Sequence, residues 1–536
     1  MRFSKTKKKP FYEPADTINL AGGPAYKQSP KLELVSLVLS TFLNDSYYES
    51  ANGTLARLLA LLNGEDSKFA AKLALFARNE CGMRTVTNVI AAMVAKLVKG
   101  ENWVRRFIAA VVRRPDDAVE ILACYISLFG KPVPNSLKKG LGDAIVKFNG
   151  YQLAKYRCAS HEISLVDLVN IVHPVPNEKN AEAFKELVGG TLRSFDTWEV
   201  ELSKAGSIKN EKDKNESKGA VWTKLIGERK LGMLALTKNL RNIAEQADLE
   251  TVKAAAEMLR NADAVQKSLV MPFRFVDAYF ELKAAEPSEY GTSSTLHYCE
   301  DPEIVILNAE GSMFLSEKLY KEKIALQKAK AEEFAKLKEK RNILKNALHD
   351  AVELSLASVP KFKGNTVIML DCSGSMSGRP YQIGATFAGA IARTNKADVV
   401  LFDTDARFLD LSSGPKRTLR FVEAMAEKFT GGGTDFDCAF KLLEQLNARY
   451  DRIVILSDMQ AWVSDHACQR EFARYTKRCG GDPKLFSFDL AGHGTMQFPE
   501  KSVYCVAGWS DKALELFELL DNDINALVNR IEAMQL

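Results

Sequence analysis

Thr366-Val367-Ile368-Met369-Leu370-Asp371-Cys372-Ser373-Gly374-Ser375 is the stretch whose reading decides the fold. Its first five residues are apolar or β-branched, the pattern of a parallel strand buried on both faces. In an open α/β sheet, ligands gather at the carboxyl ends of such strands. Asp371, Ser373 and Ser375 stand two residues apart in the loop that leaves this strand. One carboxylate and two hydroxyls at that spacing can converge on a point, which suits a hard divalent cation that takes oxygen ligands.

Two later segments extend the same edge. Gly431-Gly432-Gly433-Thr434-Asp435 opens an amphipathic helix carrying Phe436, Ala439, Phe440 and Leu443, and it offers the Thr434 hydroxyl. Arg452-Ile453-Val454-Ile455-Leu456-Ser457 reads as a second apolar strand and runs into Asp458. Together the three loops supply two carboxylates and three hydroxyls. Mg²⁺ takes six oxygens and keeps several waters, so one position is left for an acidic group from outside. A DxSxS alone is a weak signal, because Asp and Ser are common after strands. The order DxSxS, Gly-rich Thr-Asp, strand-Asp is a strong one. It resembles the metal-ion-dependent adhesion site (MIDAS) of von Willebrand factor A domains. By that resemblance Asp371, Ser373, Ser375, Thr434 and Asp458 hold a divalent cation, Mg²⁺ being the expected one.

The 536 residues are enough for two or more domains, and 46% hydrophobic with 26% charged residues is a globular composition. No stretch reaches the roughly 20 apolar residues that cross a bilayer, so no membrane partner is expected. The basic Met1–Lys9 leads into no apolar segment, and a cytoplasmic location is the expectation. Nine cysteines without a CxxC fit a reducing compartment better than a disulfide framework or a zinc ribbon. The net charge of +5 is unevenly spread: residues 361–536 hold 21 basic against 23 acidic side chains, and residues 1–360 hold 52 against 45. The basic excess therefore lies in the first part.

From Lys31 to Val188 the apolar residues recur at helical spacing, as in Leu55, Leu58, Leu59 and Leu62 or Val86, Val89, Ile90 and Met93. Short breakers such as Gly64-Glu65-Asp66 and Pro132-Val133-Pro134 separate the runs. Successive short helices with tight links predict a HEAT-like helical stack, with a non-repetitive bundle as the alternative. Such stacks curve, and a long enough curve closes into a ring. Residues 203–219 are polar and predict a mobile surface loop. The charged stretch from Ser316 to about Ser358 predicts packed helices that lead into the last domain. Residues 361–536 alternate strands and helices, with further strands expected at Val399–Phe402, Leu485–Leu490 and Ser502–Val506. The fold class expected is thus multidomain: an all-α HEAT-like helical-repeat part over 1–360, then a doubly wound, Rossmann-like α/β domain over 361–536.

Several short segments narrow the function. In order they are Asn19-Leu20-Ala21-Gly22-Gly23, Leu137-Lys138-Lys139-Gly140-Leu141, Lys155-Tyr156-Arg157, Leu165 to Pro174 with His173, Leu240-Arg241-Asn242-Ile243 and Met271-Pro272-Phe273-Arg274-Phe275. This series, followed by an A domain, resembles the Ro ribonucleoprotein autoantigen family, whose helical part is the TROVE domain. The resemblance implies a closed helical ring with a central hole. It implies small non-coding Y-type RNAs on the outer surface, and misfolded RNAs whose single-stranded 3′ ends enter the hole. A partner exoribonuclease and a monomeric protein go with it. His173 and Lys155 match the family's RNA-contacting positions. A second basic position is expected between them, where this chain has Cys158-Ala159-Ser160-His161, so His161 stands in for it.

Elementary physics supports a similar surface. Lys138, Lys139, Lys147, Lys155 and Arg157 fall within twenty residues, and cations that track phosphates gain affinity by releasing counterions. Tyr151 and Tyr156 can stack unpaired bases, although aromatic residues at such spacing are more often core. The RNA-binding candidates are therefore Lys138, Lys139, Lys155, Arg157, His161 and His173. No catalytic set is visible: there is no HExxH, no P-loop and no nucleophile turn, and two carboxylates are too few for a two-metal nuclease. The expectation is a non-enzymatic RNA scaffold. The alternatives are a metal-dependent protein-adhesion module without RNA and, more remotely, a hydrolase using Asp371.

Overall fold

The computed structural model describes residues 13–156, 163–192, 198–284, 296–298, 306–307, 313–315, 317–357, 359–410, 417–466, 468–479, 481–500, 503–507 and 526–536. Arg157 and His161, both RNA candidates, lie outside the described residues. Cα packing divides the chain into two compact units: residues 1–197, 271–273 and 355–536 in one, 198–270 and 274–354 in the other. The first helices pack with the α/β domain, and the helices from residue 198 onward form their own unit.

In the first unit the chain opens with short strands β1 (Thr17–Ile18) and β2 (Pro24–Lys27). Ten helices follow: α1 (Pro30–Ser40), α2 (Ala51–Gly64), α3 (Ser67–Asn79), α4 (Thr85–Leu97), α5 (Asn102–Val111), α6 (Pro115–Phe129), α7 (Asn135–Ile145), α8 (Gly150–Lys155), α9 (Leu165–Val172) and α10 (Ala181–Val188). Their starts are encoded locally. Ser50 caps α2 and Asp66 caps α3, each accepting from a backbone N–H of the first turn, and capping boxes open α8 (Asn149, Gln152) and α9 (Ser164, Asp167). α4 is buried continuously from Val86 to Ala95 and packs against α2, α3, α5, α6 and α7. α5 lies on α7, while α6 and α7 both meet α9. Helices thus meet neighbours a few elements away in sequence, as a helical-repeat stack requires.

Charge is buried in this layer as well. Asp117, at the start of α6, accepts from Arg78 (2.7 Å) and Arg84 (2.6 Å) and from the backbone N–H groups of Arg113 and Arg114. Burial alone would raise its pKa, but the two guanidiniums outweigh burial and hold it below the usual carboxylate range.

The second unit holds α11 (Trp198–Gly206), α12 (Glu211–Gly227), α13 (Met233–Lys238), α14 (Leu240–Gln246), α15 (Leu249–Arg260), α16 (Ala262–Lys267), α17 (Pro272–Ala284), three short strands (β3 Leu296–Tyr298, β4 Ile306–Leu307, β5 Met313–Leu315) and α18 (Glu317–Ser355). Two expectations are corrected here. The polar segment 203–219 is mostly helix: Asn210 caps α12, whose far end is anchored by buried Trp222, Leu225 and Ile226. The stretch from Ser316 to Ser358 is one continuous helix from Glu317 to Ser355 rather than several. Its last turns bury Leu344, Ala347, Leu348, Ala351 and Val352, and its middle is solvated, so packing at one end carries the rest.

The α/β part belongs to the first unit. Its strands are β6 (Thr366–Asp371), β7 (Asp398–Phe402), β8 (Ala406–Phe408), β9 (Arg452–Ser457), β10 (Lys484–Asp489), β11 (Thr495–Met496) and β12 (Tyr504–Ala507). The main sheet runs β12-β10-β9-β6-β7-β8, parallel except for the β7–β8 edge pair. Its helices are α19 (Arg379–Asn395), α20 (Thr418–Ala426), α21 (Phe436–Gln445) and α22 (Gln469–Cys479), and a last helix, α23 (Ala526–Glu532), packs on α1 and α3. Phe436, Phe440, Phe472 and Phe498 form an aromatic cluster against one face of the sheet. No described helix is long and apolar enough to cross a membrane.

Candidate metal centre and basic cleft

From β6 the chain proceeds through α19 to β7 and β8 on one side of the sheet, while β9, β10 and β12 build the other side. The order therefore reverses between β6 and β9, which is where a doubly wound sheet opens a crevice. Asp371 ends β6, and Asp458 follows β9. Both are buried, at 0% and 2% exposure. Asp371 accepts from the Ser373 N–H (2.8 Å) and from the Ser457 hydroxyl (2.6 Å). Ser373 Oγ and Ser375 Oγ are 3.3 Å apart, and the Ser375 hydroxyl lies near enough to Asp458 to oppose the rise that burial gives its pKa.

The Gly-rich loop is laid against this one by backbone contacts. Gly431 N–H donates to the Cys372 carbonyl and Gly374 N–H to the Gly432 carbonyl, both at 2.9 Å. A Cβ at Gly432 would stand 3.0 Å from the Asp403 carboxylate, so a larger residue there would have to push that side chain aside. Thr434 is buried in this loop. Asp371, Ser373 and Ser375 are thus linked by hydrogen bonds, Asp458 lies close by, and Thr434 arrives on the loop docked beside them.

Neither Asp371 nor Asp458 has an ion-pair partner among the described residues. Burial, and then the mutual repulsion of neighbouring carboxylates, raises both above the usual range. Two uncompensated buried carboxylates backed by hydroxyls are a donor set that a hard divalent cation satisfies, so these residues fit one.

Sequence reading missed three contributors. Asp403, just after β7, bonds Thr430 and lies near enough to Asp371 to raise it. Tyr48, in the segment between α1 and α2, lies near enough to Ser375 for that hydroxyl to oppose the rise that burial gives the phenol's pKa. His493 packs edge-on against Tyr48 and is driven to about 4, first by burial and then by Arg57, so it is neutral at pH 7. Tyr47, Asp45, Glu49, Ser375, Arg379, Asp458 and His493 are among the residues lining a cavity of about 420 Å³ that opens over the site. Asp403 follows an apolar strand as Asp371 does, and that signal was there to be read. The Tyr48 and His493 contacts have no sequence signal, because they depend on docking.

The same docking explains the segment Asn19–Gly23. Asn19 Nδ2 donates to the Ala461 carbonyl (2.6 Å), Leu20 N–H donates to Gln460 Oε1 (2.8 Å), and a Cβ at Gly23 would fall 2.0 Å from the Ala461 oxygen. β2 pairs antiparallel with β11. The motif therefore clamps the loop that follows Asp458.

The RNA candidates are dispersed by comparison. Lys138 (half-buried) and Lys139 (exposed) ride on α7, and half-buried Lys155 ends α8. Tyr156 carries Arg114 over its ring at 4.5 Å and Lys155 at 5.7 Å. His173 is the exposed left-handed cap of α9 (φ 47°), donating its N–H to the Val169 carbonyl. Lys147, counted in the basic run, is spent on the Ala109 carbonyl at 2.7 Å. Lys139 lines an open cleft of about 650 Å³ that also presents Lys96, Lys99 and Arg105. Those three were missed, because the cleft joins the end of α4 to the starts of α5 and α7. Arg241 pairs with Glu245 (3.0 Å) and Arg274 with Asp277 (3.8 Å).

Residues 25–195 and 191–364 match the TROVE domain, and residues 340–485 match the family described as VWA domain containing CoxE-like protein. The chain is similar to telomerase protein component 1 of Rattus norvegicus, 22% identical over 348 residues, and of Mus musculus, 22% over 351. In each case the match takes in 48% of this chain but only 13% of the relative's length. The fold is similar to the crystal structure of the Deinococcus radiodurans RO (RSR) protein, with a TM-score of 0.54 at 17% identity over 91% of this chain and 99% of that one. The TROVE match extends over more than half of the sequence and runs into a VWA match, and the chain accordingly belongs to the TROVE-domain family.

Proposed function

We propose that this protein is an RNA-binding ribonucleoprotein scaffold. It holds small structured non-coding RNA of the Y type by phosphate contacts and shape. Single-stranded 3′ ends of misfolded RNAs enter the hole of the helical ring that the family resemblance implies. It presents RNA for quality control rather than cutting it, and an exoribonuclease partner does the trimming. The observation that carries this reading is the cleft lined by Lys96, Lys99, Arg105 and Lys139 within the TROVE match. Among the described residues Lys96, Lys99 and Lys139 have no carboxylate partner, whereas Arg105 is paired with Asp143 at 2.5 Å. Lysines of this kind exchange counterions for phosphates at little desolvation cost. Lys138, Lys155 and His173 flank the cleft in sequence and extend the surface; Arg157 and His161 complete the proposed set of RNA-binding residues by sequence alone.

At the sheet edge, Asp371, Ser373, Ser375, Thr434 and Asp458 hold Mg²⁺. The cation neutralises two buried carboxylates and leaves a coordination position for an acidic side chain of a partner protein. Exposed Trp462 and Val463 flank that position: their N–H groups donate to the Thr434 carbonyl at 3.1 and 3.3 Å, and their side chains are about half in solvent.

The test is filter binding of a structured RNA across a salt series, with a triple Lys138→Ala, Lys139→Ala, His173→Ala variant beside a Lys96→Ala, Lys99→Ala, Lys139→Ala variant. Weaker binding with a shallower salt dependence is the expected result. Unchanged affinity and slope in both variants would remove the RNA reading. Capture of a protein by wild type with Mg²⁺, lost in Asp371→Ala and accompanied by no RNA, would favour the adhesion alternative.

A further inference from the structure

A second group of ligand-type side chains lies apart from the sheet-edge carboxylates. Asp437 belongs to the first turn of α21, His466 to the loop after β9, and Glu471 to the first turn of α22. The two carboxylates are 2% and 4% exposed, and the imidazole is 20% exposed.

The imidazole is held in one orientation. Its Nδ1 lies 2.6 Å from Oδ1 of Asp465. A carboxylate can only accept, so Nδ1 carries the hydrogen. Nε2 then turns toward Oδ2 of Asp437 at 3.1 Å and Oε1 of Glu471 at 3.6 Å, yet it is buried and hydrogen-bonded to neither. An accepting nitrogen facing two accepting oxygens is repulsive unless a cation stands among them. A histidine with its far nitrogen on a carboxylate is also the usual arrangement of a metal-bound imidazole.

The spacing fits a metal. Ligands about 2.0–2.1 Å from a tetrahedral Zn²⁺ stand about 3.3 Å from one another, and the two measured separations bracket that value. The carboxylates are only partly compensated by their neighbours. Oδ2 of Asp437 accepts from Ser464 (2.6 Å), and burial followed by the nearby Asp435 still raises this carboxyl above its ordinary range. Glu471 meets Arg474 through its other oxygen at 3.3 Å, and Arg470 stays 4.0 Å from Oε1.

We propose that Asp437, His466 and Glu471 form a second divalent-cation site of the zinc class, with a mixed nitrogen–oxygen donor set and a water completing the coordination. The ion pins the 462–466 loop to α21 and α22. That loop carries Trp462 and Val463 and bonds the Thr434 carbonyl, so the ion also stiffens one wall of the sheet-edge site. The site is independent of the Mg²⁺ reading, because its ligands are different residues.

The experiment uses the full chain, stripped of metal and titrated with Co²⁺ and then Zn²⁺. Wild type should take up one equivalent of Co²⁺ with the intense visible bands of tetrahedral coordination, and Zn²⁺ should displace it. Asp371→Ala should keep those bands, which separates this site from the first. His466→Ala and the near-isosteric Glu471→Gln should each weaken Zn²⁺ binding at least tenfold while keeping the circular dichroism of wild type. If wild type shows only the faint bands of octahedral Co²⁺, or if neither variant alters the Zn²⁺ isotherm, the cation between these groups is a proton and the proposal is overturned.

Discussion

The sheet edge and the helical cleft concentrate function in opposite ways. At the sheet edge, parallel strands end together, so residues far apart in sequence arrive at one point: Asp371 and Asp458 leave adjacent strands. In the cleft, Lys96, Lys99, Arg105 and Lys139 sit at the ends of three helices and surround a space rather than a point. A point site has a stoichiometry and a geometry that one substitution destroys. A surface has a summed charge that one substitution only reduces. The difference teaches that a strand-end motif can be read from a sequence with residue precision, whereas a phosphate-binding surface can be read only as a region.

That contrast can be broken at several places. The largest effect expected is at Asp371: Asp371→Ala should abolish the rise in melting temperature that Mg²⁺ gives the purified protein, while RNA affinity stays within about twofold. If one change at the sheet edge also eliminated RNA binding, the two regions would not be separate. Next, Asp117→Ala should cost about 3–5 kcal/mol in urea unfolding, because it strands Arg78 and Arg84 in the helical layer. Asp117 titrates lower in the folded state than in the unfolded one, so its contribution is complete above the unfolded value. It fades as pH falls through the folded value, and the variant should show a flatter acid limb. The triple change of Lys96, Lys99 and Lys139 to Ala should lower RNA affinity about 10- to 100-fold at moderate salt and reduce the logarithmic salt slope by about 2–3. A collapse of binding with Lys139→Ala alone would make the cleft a point site after all.

The smallest effect is at His493, beside the cavity over the candidate metal centre. Its folded pKa of about 4 lies below the ordinary 6.5. Protonation therefore favours the unfolded chain, and stability present above pH 6.5 is lost as pH falls toward 4. His493→Gln should remove about 1 kcal/mol of that loss at pH 5.5, seen as a shallower stability profile in chemical denaturation.

The α/β fold was legible because each buried strand is a short apolar run with a break on either side. Arg452–Ser457 was placed to the residue, and the strands at 398–402 and 484–489 within one. The edge strand β8 was not read, since Ala406–Phe408 is only half-buried and carries no run. The helices of 31–188 were legible from their 3.6-residue period. α12 was not, because its first two turns are polar all round and only Gly219, Trp222, Leu225 and Ile226 are buried. At the candidate metal centre all five expected residues sit in the three loops read from the sequence. Tyr48 and His493 could not be read there, because neither lies near a strand end in its own segment and only tertiary docking brings them in. For the basic surface, Lys139 was read but its cleft partners were not. Charge clustering in sequence does not reveal which helix ends meet.

The docking of α23 on α1 and α3 has a consequence for the birth of the chain. Lys31 pairs with Glu532 at 2.7 Å, and Arg530 lies over the ring of Phe76. Lys31 and Glu532 stand 501 residues apart in sequence. At ribosomal rates of roughly 5–20 residues per second, the earliest helices emerge on the order of a minute before the segment that covers their flank. During that interval the nascent apolar flank is open to chaperones, and truncated translation products of this protein are the species most exposed to proteolysis.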